Sequence, residues 1–233
     1  MIKLPRQFNK MKAKALENGI CSSWKEILEN AQCVDDIPED KISEAAYWWA
    51  FNIGDRDIMR PLITESEWAY KWARTIGDHD IMRPLITDQE WAYKWALFIG
   101  DHNLMRPLVT DQEWAYKWAR NIGNRNLMRQ LITESKWAFW WAFQIGDRDI
   151  MRPLVTDQEW AYMWARNIGE LDLIRPLITE PQFVYRWVRD FGDKDLMRPL
   201  ITQPYWASMW AKYVGDYDLM EPFFKGTEYD PNK

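Results

Sequence analysis

The sequence predicts an all-α solenoid: eight 23-residue repeats, each a helix, a turn and a short second helix, behind an N-terminal helical cap. Three observations predict it. Glycine recurs at Gly54, Gly77, Gly100, Gly123, Gly146, Gly169, Gly192 and Gly215, a step of 23 residues each time. Ahead of each glycine stands a tryptophan at a fixed offset, from Trp49 and Trp72 to Trp210. The chain also carries 17 Trp against 10 Gly in 233 residues, so it has ample apolar surface to bury and is not a disordered chain. A fixed period of this length marks an array whose units cannot bury their apolar faces alone and must stack.

The organisation expected is a cap over 1–40, the solenoid over 41–224 and a polar tail over 225–233. In the cap, Arg6, Lys10 and Lys14 lie opposite Phe8, Met11 and Ala15, which gives an amphipathic helix over 5–18. Ser23 with Glu26 starts a second helix that runs to Ala31, and 34–40 is an acidic connector. A basic arm for phosphate or membrane is the competing reading. The cap is preferred, because acids follow the few cations directly and an open solenoid end exposes apolar surface. Trp48 and Phe51 are then expected to lie beneath it.

Residues 64–86 stand for the repeat. Thr64 and Glu67 have the spacing of a capping box, and a helix is expected over 65–76. Trp68, Trp72 and Ile76, with Ala69 and Ala73 beside them, fall on one apolar arc. Ala admits a neighbouring helix and Trp fills the wider gap. Gly77 ends the helix at a position that needs positive φ. Asp78 is placed to cap the next element, and Pro84 keeps that element short. Its Ile81, Met82, Leu85 and Ile86 are expected to face the same core. Arg83 and its equivalents stand three residues after an Asp or Asn, which suits a local ion pair and a reach to the next repeat's Asp. A phosphate-binding arginine stripe is the alternative. At the last repeat Glu221 replaces this Arg, as befits a terminal unit.

The stretch 76–86, "IGDHDIMRPLI", resembles the "IGDxxAVxPLI" segment of HEAT-like repeats. That resemblance, over 41–224, implies an α-solenoid that binds proteins. The unit here is shorter, and Trp stands where those helices carry small aliphatics, so pitch and groove shape do not transfer. The Trp-Ala arrays are also similar to those of phage-encoded proteins, which implies an origin and no activity.

A net charge of −5 disfavours a general nucleic-acid binder. Cys21 and Cys33 form no CxxC and imply no disulfide framework. With no apolar leader and no run long enough to span a bilayer, the expected location is cytoplasmic, the host cytoplasm if the chain is phage-encoded. No nucleophile–base pair, paired-carboxylate site, phosphate loop or metal-ligand spacing stands out, so neither enzyme activity nor a cofactor or metal is expected. His79 and His102 read as surface residues, and the repeat-constant Trp row as core.

Specificity should then lie where repeats differ. Lys71, Lys94 and Lys117, with Arg74, Arg120 and Arg166, occupy outward positions that in other repeats hold Leu97, Trp140, Phe143 and Met163, and Phe98 stands at the variable position of Thr75. Trp140 and Phe143 are one helical turn apart and should touch on an exposed face. The expected partner is a protein gripped around this pair by an adaptor or a steric inhibitor. A homo-oligomer is an alternative covering for it. The second reading is a nucleic-acid-binding solenoid that uses the Lys and Arg rows.

Overall fold

A computed structural model describes residues 36–52, 54 and 56–231, with isolated positions 12, 13, 27, 29 and 30. The chain is an all-α solenoid of 23-residue helix pairs, with no strand among the described residues. Residues 1–114 and 115–233 form two compact units. Of the cap, Lys12, Ala13, Ile27, Glu29 and Asn30 are helical, and the Lys12 Nζ donates to the Glu29 carbonyl at 2.8 Å. The remainder of the two expected cap helices, with Cys21 and Cys33, lies outside the described residues.

In the first unit the long helices are Ile42–Asn52, Ser66–Thr75 and Gln89–Phe98. Each leads to a stub, one α-turn and one 3₁₀ turn, such as His79–Met82 followed by Arg83–Leu85. Pro84 follows the first 3₁₀ residue, where its missing N–H is not needed. Successive long helices pack on one another and on their own 3₁₀ turns. The predicted arc is the core: Ala69 and Trp72 are wholly buried, and Trp68 is 8 % exposed. Tyr70, outside that arc, is buried as well, because its ring meets Trp91 of the next repeat at 5.3 Å. Tyr47 meets Trp68 and Tyr93 meets Trp114 in the same way.

Ile81 does not join this core. It is 50 % exposed, whereas Met82 is wholly buried and Ile86 nearly so. Neighbouring residues of a one-turn helix diverge by about 100°, so only one of the pair can face the long helix. The chain then turns extended at Ile86, which drops that side chain inward. Trp48 and Phe51 also differ from the burial expected of them, standing 48 % and 52 % exposed.

Two polar staples join repeats, and both correct the expected capping. The helix starts at Ser66, two residues after Thr64. The Thr64 N–H donates to Ser43 Oγ of the preceding repeat at 3.1 Å, and Thr87 N–H to Ser66 Oγ at 3.0 Å. Where the serine is Gln89, its Oε1 accepts from the N–H groups of Thr110 and Asp111. The side-chain cap, where present, comes from Asp88, which accepts from the Trp91 N–H at 3.0 Å.

The second staple uses Asp78. The Trp72 carbonyl closes the long helix by accepting from the N–H groups of Ile76 and Gly77. Gly77 then takes φ 109° and Asp78 φ 58°, so the chain turns through two left-handed residues. Asp78 caps the stub with its carbonyl, which accepts from the N–H groups of Ile81 and Met82. Its carboxylate turns back to the Trp72 indole N–H at 3.1 Å and meets Arg60 Nε of the preceding repeat at 3.1 Å. Arg60 also pairs with Asp57 at 3.0 Å. Arg83 repeats this between Asp80 and Asp101, with Trp95 donating to Asp101.

The second unit holds the long helices Ser135–Gln144, Gln158–Asn167, Pro181–Phe191 and Pro204–Tyr213. Trp141, Trp164, Trp187 and Trp210 are all wholly buried, each donating to the carboxylate six residues on. The arginine staple recurs from Arg129 to Asp147 and from Arg198 to Asp216. The last stub is one helix, Tyr217–Phe224, with Pro222 inside it and Phe224 wholly buried. The tail after it folds back: Asp230 accepts from the Gly226 N–H at 2.8 Å, and Tyr229 meets Tyr205 at 5.4 Å.

Burial raises the Asp78 pKa, but the hydrogen bonds from Trp72 and Arg60 outweigh it and hold the carboxyl below its ordinary value. Stability from this staple is therefore full above the ordinary carboxylate pKa of about 3.9 and is lost as pH falls through the lower folded value. Asp78→Asn keeps a residue type that tolerates the left-handed region but removes the charge. It is expected to lower stability at pH 7 by about 1–2 kcal/mol, with the gap to the parent closing in acid. Urea unfolding from pH 7 to pH 3 reads this; a gap independent of pH would refute it.

Gly146 has φ 112°, and a Cβ added there would meet no atom within 4 Å. Gly146→Ala is thus expected to cost about 1–3 kcal/mol through the backbone alone, measured by the same unfolding.

Candidate functional site

The outward positions of the long helices lie beside the Tyr–Trp ladder, so the core determines what they can present. In the first unit, Lys71 Nζ pairs with Glu67 at 2.7 Å and lies 3.8 Å from the Trp68 ring centre. Lys94 repeats this with Glu90 at 2.6 Å and Trp91 at 3.7 Å. Both are half-buried and held by a carboxylate one turn back. Arg74 donates to the Tyr70 hydroxyl at 3.2 Å and stacks 4.9 Å over Phe98. Thr75 donates to the Tyr47 hydroxyl of the preceding repeat at 3.3 Å. Leu97 and Phe98 stand 37 % and 57 % exposed. The lysines of this unit are thus committed to local partners, while Arg74, Leu97 and Phe98 stand exposed.

In the second unit the expected pair is brought together. Trp140 and Phe143 lie 6.1 Å apart, nearly edge to face. Phe143 is 43 % exposed and Trp140 half-buried. Beneath them sits Phe139, 1 % exposed, stacked on Phe143 at 5.7 Å and edge-on to Trp140 at 5.3 Å. Phe139 in turn rests on Trp160 of the next repeat at 5.6 Å. The exposed pair therefore stands on a rigid aromatic base, which removes much of the side-chain entropy a partner would otherwise have to freeze. Tyr47, Trp48 and Phe51 form the same triad in the first unit, with Tyr47 and Phe51 stacked at 6.0 Å and Trp48 and Phe51 edge to face at 6.2 Å.

Lys117 and Met163 are half-buried, and Arg120 and Arg166 are exposed. One repeat further on the surface turns polar. Asp190 accepts from Arg189 Nε at 2.9 Å and from the Tyr162 hydroxyl. The Arg189 hydrogen bond, aided by that from Tyr162 and opposed by burial, holds the Asp190 carboxyl below its ordinary range. Burial first, and then this carboxylate, pushes the Tyr162 phenol up. Sequence reasoning missed the role of Tyr70, Phe139 and Tyr162. Their signal was available: an aromatic residue recurs at that repeat position from Tyr47 to Tyr185.

His79 and His102 each direct Nε2 to a backbone carbonyl at 3.0 Å, those of Ala73 and Ala96, so each ring serves a helix end. No group of three or more His, Cys, Asp or Glu among the described residues is arranged to hold a metal ion. Among them no helix is long and apolar enough to cross a membrane.

The two layers of the aromatic triad should separate in stability. Phe139→Ala is expected to cost about 3–5 kcal/mol, the range for a buried aromatic, while Phe143→Ala costs under about 1 kcal/mol. Urea unfolding of both variants checks this; equal losses would mean that Phe143 is a core residue.

Comparison of the chain with family models, with curated proteins and with solved structures gave no match.

Proposed function

We propose that this solenoid is a non-catalytic scaffold that binds a protein, with Trp140 and Phe143 at the centre of the contact. The observation that supports the reading is the exposed aromatic pair on a buried aromatic base. Aromatic anchors that are both rigid and solvent-facing are what protein hot spots are made of. Leu97 and Phe98 offer a second apolar contact on the first unit, bordered by Arg74. Met163 extends the first, with Arg120 and Arg166 as rim cations and Lys71, Lys94 and Lys117 outside it. The mechanism is steric: a surface held by staples from repeat to repeat covers part of a partner without rearranging. This is the action of an adaptor or of an inhibitor of a host enzyme. The HEAT-like pattern of residues 76–86 favours a protein ligand, and the Trp-Ala arrays suggest a phage-encoded protein at work in host cytoplasm.

The nucleic-acid reading is weaker on one specific ground. Lys71 and Lys94 already hold carboxylates at 2.7 and 2.6 Å, and a phosphate would have to displace these. Single-stranded RNA or DNA is accordingly expected to show no binding at low salt. Strong binding that falls steeply with salt would instead establish the cationic rows as the site.

The protein reading is tested by affinity capture with the parent chain and with a Trp140→Ala/Phe143→Ala variant. The parent is expected to retain a partner that the folded variant loses by about tenfold or more in affinity, since hot-spot truncations exceed ~2 kcal/mol. Identical recovery by the two chains would remove the aromatic pair from the contact.

A further inference from the structure

The short helices carry a second surface that the long-helix site does not use. Ile58, Ile81, Leu104, Leu127, Ile150, Leu173, Leu196 and Leu219 occupy one repeat position, and each is 44 to 61 % exposed. The proline three residues on, replaced only by Gln130, is exposed too, at Pro176, Pro199 and Pro222 in the last repeats. A side chain kept aliphatic at every repeat, yet left in water, is not explained by the core, which takes Met197 and Ile201 from the same stub. A shallow depression beside the row is lined by Arg152, Pro153, Val155, Thr156, Leu173 and Leu177.

Charge distinguishes the last three repeats. An arginine shared between two carboxylates is common to the array, at Arg60, Arg83 and Arg152 as at Arg175 and Arg198. What differs is the sum: 170–175, 193–198 and 216–221 together carry seven acids against three Lys or Arg, whereas the five equivalent segments before them carry seven acids against eight Lys or Arg. The outward acid of a stub is the aspartate beside the exposed leucine, 89 % exposed at Asp172 and 90 % at Asp195. In the earlier stubs the first residue is basic: Arg56, His79, His102, Arg125 or Arg148. In the last three only Lys194 is basic there, Leu171 and Tyr217 being neutral. Lys194 is turned to the Val214 carbonyl.

We propose that the short-helix face of the last three repeats binds an extended, basic, aliphatic segment of a partner protein. Its apolar side chains pack between Leu173, Leu196 and Leu219, and its cations meet Asp172, Asp195 and Asp218. Charge complementarity selects this occupant: a surface with alternating leucine and unbalanced aspartate rejects an acidic ligand and matches a cationic one. Spacing selects the extended form. Stacked helices repeat every 8–10 Å, roughly, and a polyproline II chain covers about 9 Å in the three residues that return a side chain to the same face. One apolar residue in every three therefore keeps step with one leucine per repeat.

The probe is a labelled peptide of repeated Leu-Lys-Ser triplets, about four long so as to span the three leucines, titrated into the full chain by fluorescence anisotropy. It is expected to bind, and to bind at least about tenfold more tightly than matched peptides with Glu for Lys or Ser for Leu. Leu173→Ser/Leu196→Ser/Leu219→Ser is expected to weaken it by the same factor, as is Asp172→Asn/Asp195→Asn/Asp218→Asn. The second variant alters only exposed carboxylates and decides the matter should the first fail to fold. Trp140→Ala/Phe143→Ala is expected to bind the peptide as the parent does, so this site and the long-helix site stand or fall separately. Absence of binding, equal binding of the acidic peptide, or binding unchanged by the Asp→Asn variant overturns the proposal. So does a dimer of the chain that the leucine variant dissociates, since a second copy would then be the occupant.

Discussion

Six of the repeats depend on one carboxylate carried by a residue in the left-handed region, and a further repeat holds the amide Asn124 there at φ 55°. Asp78, Asp101, Asp147, Asp193 and Asp216 all take φ near 60°, which costs a non-glycine residue roughly 1 kcal/mol or more. The same geometry returns the carboxylate over the end of its own long helix. There it receives a buried indole N–H and, from the repeat before, an arginine. Charge-assisted bonds of this kind outweigh the strain. A lone indole N–H in the core would otherwise be left without an acceptor, a penalty of about 1–3 kcal/mol. Glu170 shows that the requirement is chemical and not tied to Asp: it takes φ 57° and still holds Trp164 at 3.3 Å and Arg152 at 3.2 Å.

This explains why a chain would repeat so large a side chain. Tryptophan, the largest side chain, fills a wide inter-helix gap and also offers a donor at its edge. The donor fixes the loop, the loop fixes the carboxylate, and the carboxylate fixes the arginine of the preceding unit. Burial of Trp72 and Trp95 thus becomes coupled to inter-repeat register, which a Leu or Phe of similar burial could not achieve. The Tyr–Trp contacts on the other flank of the long helix, such as Tyr70 with Trp91, complete the grip without any polar group.

The period and the helix–glycine–stub order were legible from the sequence, because glycine, tryptophan and proline each have one strong conformational or volumetric reason to recur. What was not legible depended on direction. Asp78 reads as a cap from its place after Gly77, but the left-handed φ turns its side chain away from the stub and leaves the capping to its carbonyl. Thr64 reads as half of a capping box. Its partner lies in another repeat, 21 residues away in Ser43, where local spacing carries no signal. Ile81 and Met82 are adjacent and equally apolar, and only the handed path of a one-turn helix decides that Met82 is inside. For the candidate site, the Trp140–Phe143 contact followed from helical spacing. The Phe139 base beneath it required knowing which side of the helix the next repeat covers. The pairings of Lys71 with Glu67 and of Lys94 with Glu90 show why a row of cations in sequence need not be a row of free charge.

The staples also account for how such a surface can vary without loss of fold. The residues that hold repeat to repeat lie at the helix ends, in the stub and along the Tyr–Trp flank. The outward turn of the long helix, where Lys71, Lys94, Trp140 and Met163 are equivalents, contributes little to them. Substitutions there change what is displayed at little cost to stability, since surface changes away from caps, core and networks generally fall within about 0.5 kcal/mol. The stub leucines obey the opposite logic. They too contribute little to the core, yet they stay aliphatic at all eight repeats. A position that the core leaves free and that still does not vary is the pattern the proposed contact with a basic segment would impose, and the acid surplus of 170–175, 193–198 and 216–221 sets where along the row that contact would lie.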